Sequence, residues 1–307
     1  MPASLNANQN SRHLPIELYD EIIGFLWNDF PSLKACVIAS RVLLAPSQKR
    51  LFYCIALNAL SRHKSTGTPS SFYWLLAFAP HLADYVQVLH IFDLGALNVE
   101  SSDATPAVLG NEHDLHFEDY EFINGKVISN LDHTIQPGTD RQTIGWLQRD
   151  KFLPLFAPLL SNLRALHIFY PFDLNRLTYR VLFTLLSLMR LPSLVHLRVD
   201  CRIYPQAIVD IGENIKHLAL DTPPSRVDFP FQLEHPPLQP VYLESFLMRG
   251  PFVFLGRLPP TFRIQFSRLR KLVVVALSAN DHASTQKLLR QCRDTLEDFE
   301  FVPFPGT

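Results

Sequence analysis

The sequence predicts an α/β chain: a three-helix N-terminal module followed by an irregular solenoid of strand-and-helix units. Three observations carry that prediction. Residues 14–52 hold three short, very apolar helical patterns, with prolines at positions 15, 31 and 46. A spaced-leucine pattern closing on an alternating strand recurs between residues 86 and 301. Glycine is scarce, at 11 of 307 residues, which argues against folds built on glycine-rich phosphate loops.

The helical patterns come first. Leu14-Pro15, Phe30-Pro31 and Ala45-Pro46 each place proline where a helix would open, and proline is pre-organised there because its missing N–H has no intrahelical partner. On a wheel of about 100° per residue, Ile16, Leu18, Tyr19, Ile22, Ile23, Phe25, Leu26 and Trp27 sweep roughly 200° of the first helix. An ordinary surface helix needs an apolar stripe of only about 100°. The second helix, around Leu33 to Leu44, is apolar nearly all round, with Lys34 and Arg41 as its charges. A segment this short buries little surface by itself. Two readings fit: a subdomain packed on the rest of the chain, or an apolar surface that a partner covers.

The positions Leu14-Pro15, Glu17-Leu18, Ile22-Ile23, Leu26 and Asp29, followed by Leu33, Cys36, Ser40-Arg41 and Leu51-Phe52, resemble an F-box, in particular the F-box-like segments of basidiomycete fungal proteins. Leu43 and Ser40 stand where that family often has Trp and Cys. The resemblance implies a helical module over residues 13–58, after a disordered tail at 1–12, that docks on the SKP adaptor of a cullin-based ubiquitin ligase. On that reading Leu14, Pro15, Leu18, Ile22, Leu33 and Val37 form the adaptor side.

Downstream, Leu160-x-x-Leu163-x-x-Leu166-x-Ile168 recurs as Leu191-x-x-Leu194-x-x-Leu197-x-Val199 and as Phe266-x-x-Leu269-x-x-Leu272-x-Val274. Looser copies are Val86-x-x-Leu89-x-Ile91, Ile211-x-x-x-Ile215-x-x-Leu218-x-Leu220 and Leu296-x-x-Phe299-x-Phe301. The anchors Leu166, Leu197, Leu218, Leu272 and Phe299 lie 31, 21, 54 and 27 residues apart, and the long step leaves room for a degenerate unit near Leu243–Met248. Spacings of roughly 20–30 residues are those of leucine-rich repeats. Each unit points its paired leucines inward and needs a neighbour to cover the rest of its apolar surface. Helices are predicted over Leu174–Arg190 and Ala283–Cys292. The asparagine ladder of regular leucine-rich repeats is missing, so residues 59–307 read as an irregular leucine-rich-repeat-like domain; an ordinary α/β domain with several such runs is the other reading.

Residues that alternate with the buried leucines face the other side of the sheet. They give a target-binding face of His167, His196, Arg198, Asp200, Asp221, Lys271, Asp298 and Glu300. Residues 98–140 interrupt the repeats with nine acidic residues against Lys126 alone, an acidic insertion.

The remaining signals mostly exclude. Net charge is −1, so global basicity does not point to nucleic acid. Cys36, Cys54, Cys201 and Cys292 are isolated, without a C-x-x-C pair for zinc or redox chemistry. His113, Asp114, His116, Glu118 and Asp119 are the one cluster of metal-ligand types, and they read as a solvated acidic loop. Phosphate-loop, nucleophile-elbow and zinc-protease motifs are absent, so no catalytic residue, metal or cofactor is expected. The polar first thirteen residues lack the apolar region of a signal peptide, and no apolar run approaches about 18 residues. The expectation is a cytoplasmic or nuclear protein without a membrane partner. With the resemblance, it is the substrate-recognition subunit of an SCF-type ubiquitin ligase, helices on the adaptor and repeats on an unknown target protein. The alternative is a non-ligase interaction scaffold whose helices cap the repeat stack.

Overall fold

Seven parallel pairings set eight strands side by side in the order in which the chain makes them. A computed structural model describes residues 14–27, 29–58, 68–93, 145–202, 211–221, 239–249, 263–276 and 281–303. Its strands are β1 (Cys54–Asn58), β2 (Val88–Phe92), β3 (Ala165–Asp173), β4 (His196–Arg202), β5 (His217–Asp221), β6 (Val241–Tyr242), β7 (Ser245–Arg249), β8 (Ile264–Gln265), β9 (Lys271–Ala276) and β10 (Asp298–Pro303). The main sheet runs β1-β2-β3-β4-β5-β7-β9-β10, while β6 and β8 pair separately. The degenerate unit expected near Leu243–Met248 is β7. Cys54–Asn58, which the sequence reading places inside the 13–58 module, is the first strand of the sheet.

The pairing register explains the spaced leucines. It aligns Ile55, Leu89, Leu166, Leu197, Leu218, Phe246, Leu272 and Phe299 in one row. Two residues on, it aligns Leu57, Ile91, Ile168, Val199, Leu220, Met248, Val274 and Phe301. Side chains two apart share a face, so both rows enter one core, and from β2 to β9 every member is buried. The preceding leucines of each unit, such as Leu160, Leu163, Leu194 and Leu269, fill the same core. Fully burying one such side chain contributes about 1.5–3 kcal/mol.

A second repeated device sets the height of each unit. The carbonyl just before a strand accepts two N–H groups from the next: Tyr53 O from Gln87 and Val88, Gln87 O from Arg164 and Ala165, Arg164 O from Val195 and His196. The step continues through Val195, Lys216, Glu244 and Arg270. Side chains reinforce it, with Asn162 Nδ2 donating to Asp84 O at 3.0 Å, Ser193 Oγ to Ser161 O at 2.7 Å and Asn214 Nδ2 to Pro192 O at 2.7 Å. These mixed polar residues satisfy the turn carbonyls in place of a regular asparagine ladder.

The N-terminal helices are α1 (Ile16–Gly24), α2 (Phe30–Ala39) and α3 (Arg41–Leu51). The second apolar pattern does not run through to Leu44, because Ser40 is extended and breaks it. Asp29 accepts the N–H of Ser32 at 3.0 Å to cap α2, and Ser40 Oγ accepts that of Val42 at 3.3 Å to cap α3. Pro46 therefore lies inside α3 instead of opening it. Trp27 meets Tyr53 edge-on at 4.9 Å and lies under the Arg50 guanidinium at 4.9 Å, tying α1 to the foot of the sheet. α3 also packs on the 3-10 turn Pro80–Tyr85.

Later helices are α4 (Pro69–Phe78), α5 (Leu153–Phe156), α6 (Tyr179–Met189) and α7 (Asp281–Cys292); α6 lies inside its predicted span and α7 begins two residues before its own. Asp93, directly after β2, accepts the N–H of Trp146 at 3.2 Å and of Leu147 at 3.0 Å, while Trp146 Nε1 donates to Phe92 O at 2.7 Å. The chain thus returns to the place it left. A Cβ at Gly145 would stand 2.1 Å from Asp93 Oδ2, so only glycine fits under this clamp. The acidic insertion at 98–140 and the His113–Asp119 cluster lie outside the described residues, as does the 1–12 tail. Among the described residues no helix is long and apolar enough to cross a membrane.

Candidate functional site

Two surfaces stand out, and they invert the usual rule in opposite ways. The first is on the N-terminal helices. Ile23 and Leu33 are the only large apolar side chains that these helices bury. Around them Leu14, Ile16, Leu18, Ile22, Phe25, Ile38 and Val42 are exposed, Phe25 at 84% and Ile38 at 87%. An apolar surface of this kind, on a module with so small a core, is the signature of an interaction site.

The predicted adaptor side divides on it. Leu14, Pro15, Leu18 and Ile22 are exposed, and Val37 is half-buried. Leu33 is a correction: it is fully buried. A helical wheel gives the spread of apolar residues but not which arc meets the neighbouring helix, and Leu33 faces that contact. Phe25 and Ile38, absent from the predicted set, are the most exposed apolar residues here; their signals were the roughly 200° arc of the first helix for Phe25 and the nearly all-round apolar pattern of the second for Ile38.

The second surface is the sheet face opposite the leucine rows. A groove of about 510 Å³ crosses it from Val88 and His90 on β2 to Lys271 and Val273 on β9. Its centre holds a polar network where apolar packing would be ordinary. His167 Nε2 lies 2.8 Å from Asp200 Oδ2, and Arg198 Nε donates to both oxygens of Asp200 at 3.1 and 2.9 Å. His90 Nδ1 lies 3.3 Å from His167 Nδ1. His90, His167 and Asp200 are buried.

The protonation states follow. Burial pushes the Asp200 carboxyl up, but the Arg198 charge and the bonds from His167 and Arg198 outweigh it and hold it down at about 2. His167 is lowered because burial dominates over the attraction of Asp200. Burial, with His167 and Arg198 adding to it, lowers His90 to about 3. His167 is therefore neutral, donates from Nε2 to the carboxylate and accepts at Nδ1, which makes His90 the donor between the two rings. Beside this network His196 and His217 stack at 4.2 Å and 9°. Burial and the neighbouring His217 and Arg164 lower His196 to about 3, so His90, His167 and His196 are neutral imidazoles at neutral pH.

The predicted target face is thus brought together in part. His167, His196, Arg198 and Lys271 line the groove. Asp200 does not; it is buried beneath, holding Arg198 and His167. Asp298 and Glu300 are exposed on edge strand β10, Asp298 lying 3.5 Å from Lys271 Nζ. Asp221 pairs with Asp200 in the strand register, and its side chain lies outside the description. Ala219, which the strand alternation also puts on this face, lines the groove, as do Ser245 and Leu247, which were not singled out because β7 was bracketed only as a degenerate unit. Among the described residues no group of three or more His, Cys, Asp or Glu could hold a metal ion. No protein-family model, curated protein or solved structure matches the chain.

Proposed function

We propose that this chain recruits a target protein to an SCF-type ubiquitin ligase. α1–α3 act as an F-box-like arm on the SKP adaptor, and the serial strands act as an irregular leucine-rich-repeat-like solenoid that holds the target on its open face. The observation that carries the reading is the uncovered apolar surface of Leu14, Ile16, Leu18, Ile22 and Phe25 on a module that buries almost nothing else. The chain performs no chemistry in this role; it raises the local concentration of target beside the ligase.

Pull-down with purified SKP adaptor tests it. Wild-type protein is expected to bind, and a folded Leu14→Ala/Pro15→Ala variant to lose binding. Failure of the wild type, or equal binding by the variant, refutes the proposal. A second reading is favoured by one contact, that of α3 with the Pro80–Tyr85 turn: the helices cap the open end of the solenoid and bind no adaptor. It predicts that Ile22→Glu destabilises the chain, whereas a docking arm tolerates that change.

A further inference from the structure

The groove on the open sheet face has a composition that selects its occupant. Among its described lining residues Arg198 and Lys271 are cations and none is a carboxylate. Arg198 spends only its Nε on Asp200. Among the described residues its two terminal nitrogens make no hydrogen bond, although the side chain is only 14% exposed. A guanidinium presents its donors as a planar fork that fits a carboxylate. Lys271, half-buried, meets the exposed Asp298 at 3.5 Å, a long contact with which a ligand carboxylate competes.

The shape favours an extended chain over a compact molecule. From β2 to β9 the groove crosses five strand spacings, about 24 Å at roughly 4.8 Å each. Arg198 on β4 and Lys271 on β9 are three spacings apart and two residues offset along the strands, about 16 Å between backbone positions, a gap that their long side chains shorten. Four residues of extended chain span about 13 Å and return a side chain to the same face. Between the two cations Ala219 and Leu247 hold one row, a small residue beside an aliphatic wall, and Ser245 adds a second small position.

We infer that the groove binds an extended peptide segment carrying two carboxylates four residues apart, with an aliphatic side chain midway on the same face. This rests on the target-holding role proposed above for the sheet face but not on adaptor docking. The first carboxylate meets the terminal nitrogens of Arg198, the second meets Lys271, and the aliphatic side chain sits over Ala219 against Leu247.

Fluorescence anisotropy on the full chain, without adaptor, tests it with a labelled peptide Ala-Asp-Ala-Leu-Ala-Asp-Ala and its counterpart with both aspartates replaced by asparagine. The acidic peptide is expected to bind at least about tenfold more tightly, a difference of about 1.4 kcal/mol. Ala219→Phe, which fills the small position without removing a charge, should abolish binding, and Lys271→Gln should weaken the acidic peptide alone; urea unfolding of both variants checks that they fold. Equal binding of the two peptides, no binding of the acidic peptide at millimolar concentration, or unchanged binding by a folded Ala219→Phe variant overturns the proposal. So does free adipate competing at the peptide's own affinity, because the groove would then be a small-molecule site. Adaptor pull-down on the same preparation separates failure of this inference from failure of the docking arm.

Discussion

The helical module and the sheet use apolar residues in opposite ways. In the sheet, two aligned rows close into a continuous core, and the opposite face carries imidazoles and a buried Asp200. In the helices only Ile23 and Leu33 are fully buried among the large apolar side chains, while Ile16, Leu18, Ile22, Phe25, Ile38 and Val42 face out. The sheet is stabilised by what its surface hides, whereas the helices leave uncovered what would ordinarily stabilise them. On the proposed function, that difference divides the chain into a region that supplies stability and a region that meets a partner.

The largest expected effect is on the sheet. Leu197→Ala deletes buried methyl groups from the central row and should cost about 2–5 kcal/mol in urea unfolding, whereas Ile22→Ala should lie within about 0.5 kcal/mol of wild type. Comparable losses at both sites would break the comparison.

Asp200→Ala should cost about 3–5 kcal/mol, because it strands the largely buried Arg198 without its partner. Chemical denaturation measures this, and a loss below about 1 kcal/mol would show that the network is solvated.

A pH series reads the imidazoles. His90 and His196 have folded values of about 3, below the ordinary value of 6.5, so the unfolded chain takes up protons first. Stability is full above pH 6.5 and falls as pH drops from 6.5 towards 3. The urea midpoint at about pH 4.5 should lie below that at pH 7, and His90→Phe should flatten the slope. Asp200, held at about 2, gives stability that is present above 3.8 and fades in stronger acid, so it adds to the loss only below the range from about pH 4.5 to 7.

Gly145→Ala should lower the thermal midpoint by several degrees, since its Cβ would enter the Asp93 carboxylate. The smallest effect is at Ser47, whose fully buried Oγ has no partner among the described residues. Ser47→Ala should be neutral or stabilising by up to about 1 kcal/mol, read by the same scan.

Most of the sheet was legible in the sequence because leucine spacing and strand alternation are local. Leu166, Leu197, Leu218 and Leu272 anchor strands as expected, and even the degenerate β7 was bracketed by the long step between anchors. β1 was not legible: Cys54-Ile-Ala-Leu-Asn58 follows a helix without a glycine or proline break, and only β2 alongside makes it a strand. The start of α3 was misplaced because Pro46 is a stronger local signal than the Ser40 cap. The open face was identified residue by residue, but its burial was not. His167 meets Asp200 from the neighbouring strand, a contact set by register and hence invisible along the chain.

The central claim concerns the bare helical surface, and one titration addresses it most directly. Purified wild-type chain and Ile22→Glu/Phe25→Glu are titrated against SKP adaptor by calorimetry, with urea unfolding of both. The account predicts binding by wild type, none by the variant, and equal unfolding midpoints. Binding by both, binding by neither, or a variant that unfolds well below wild type would contradict it, the last because the surface would then belong to the fold.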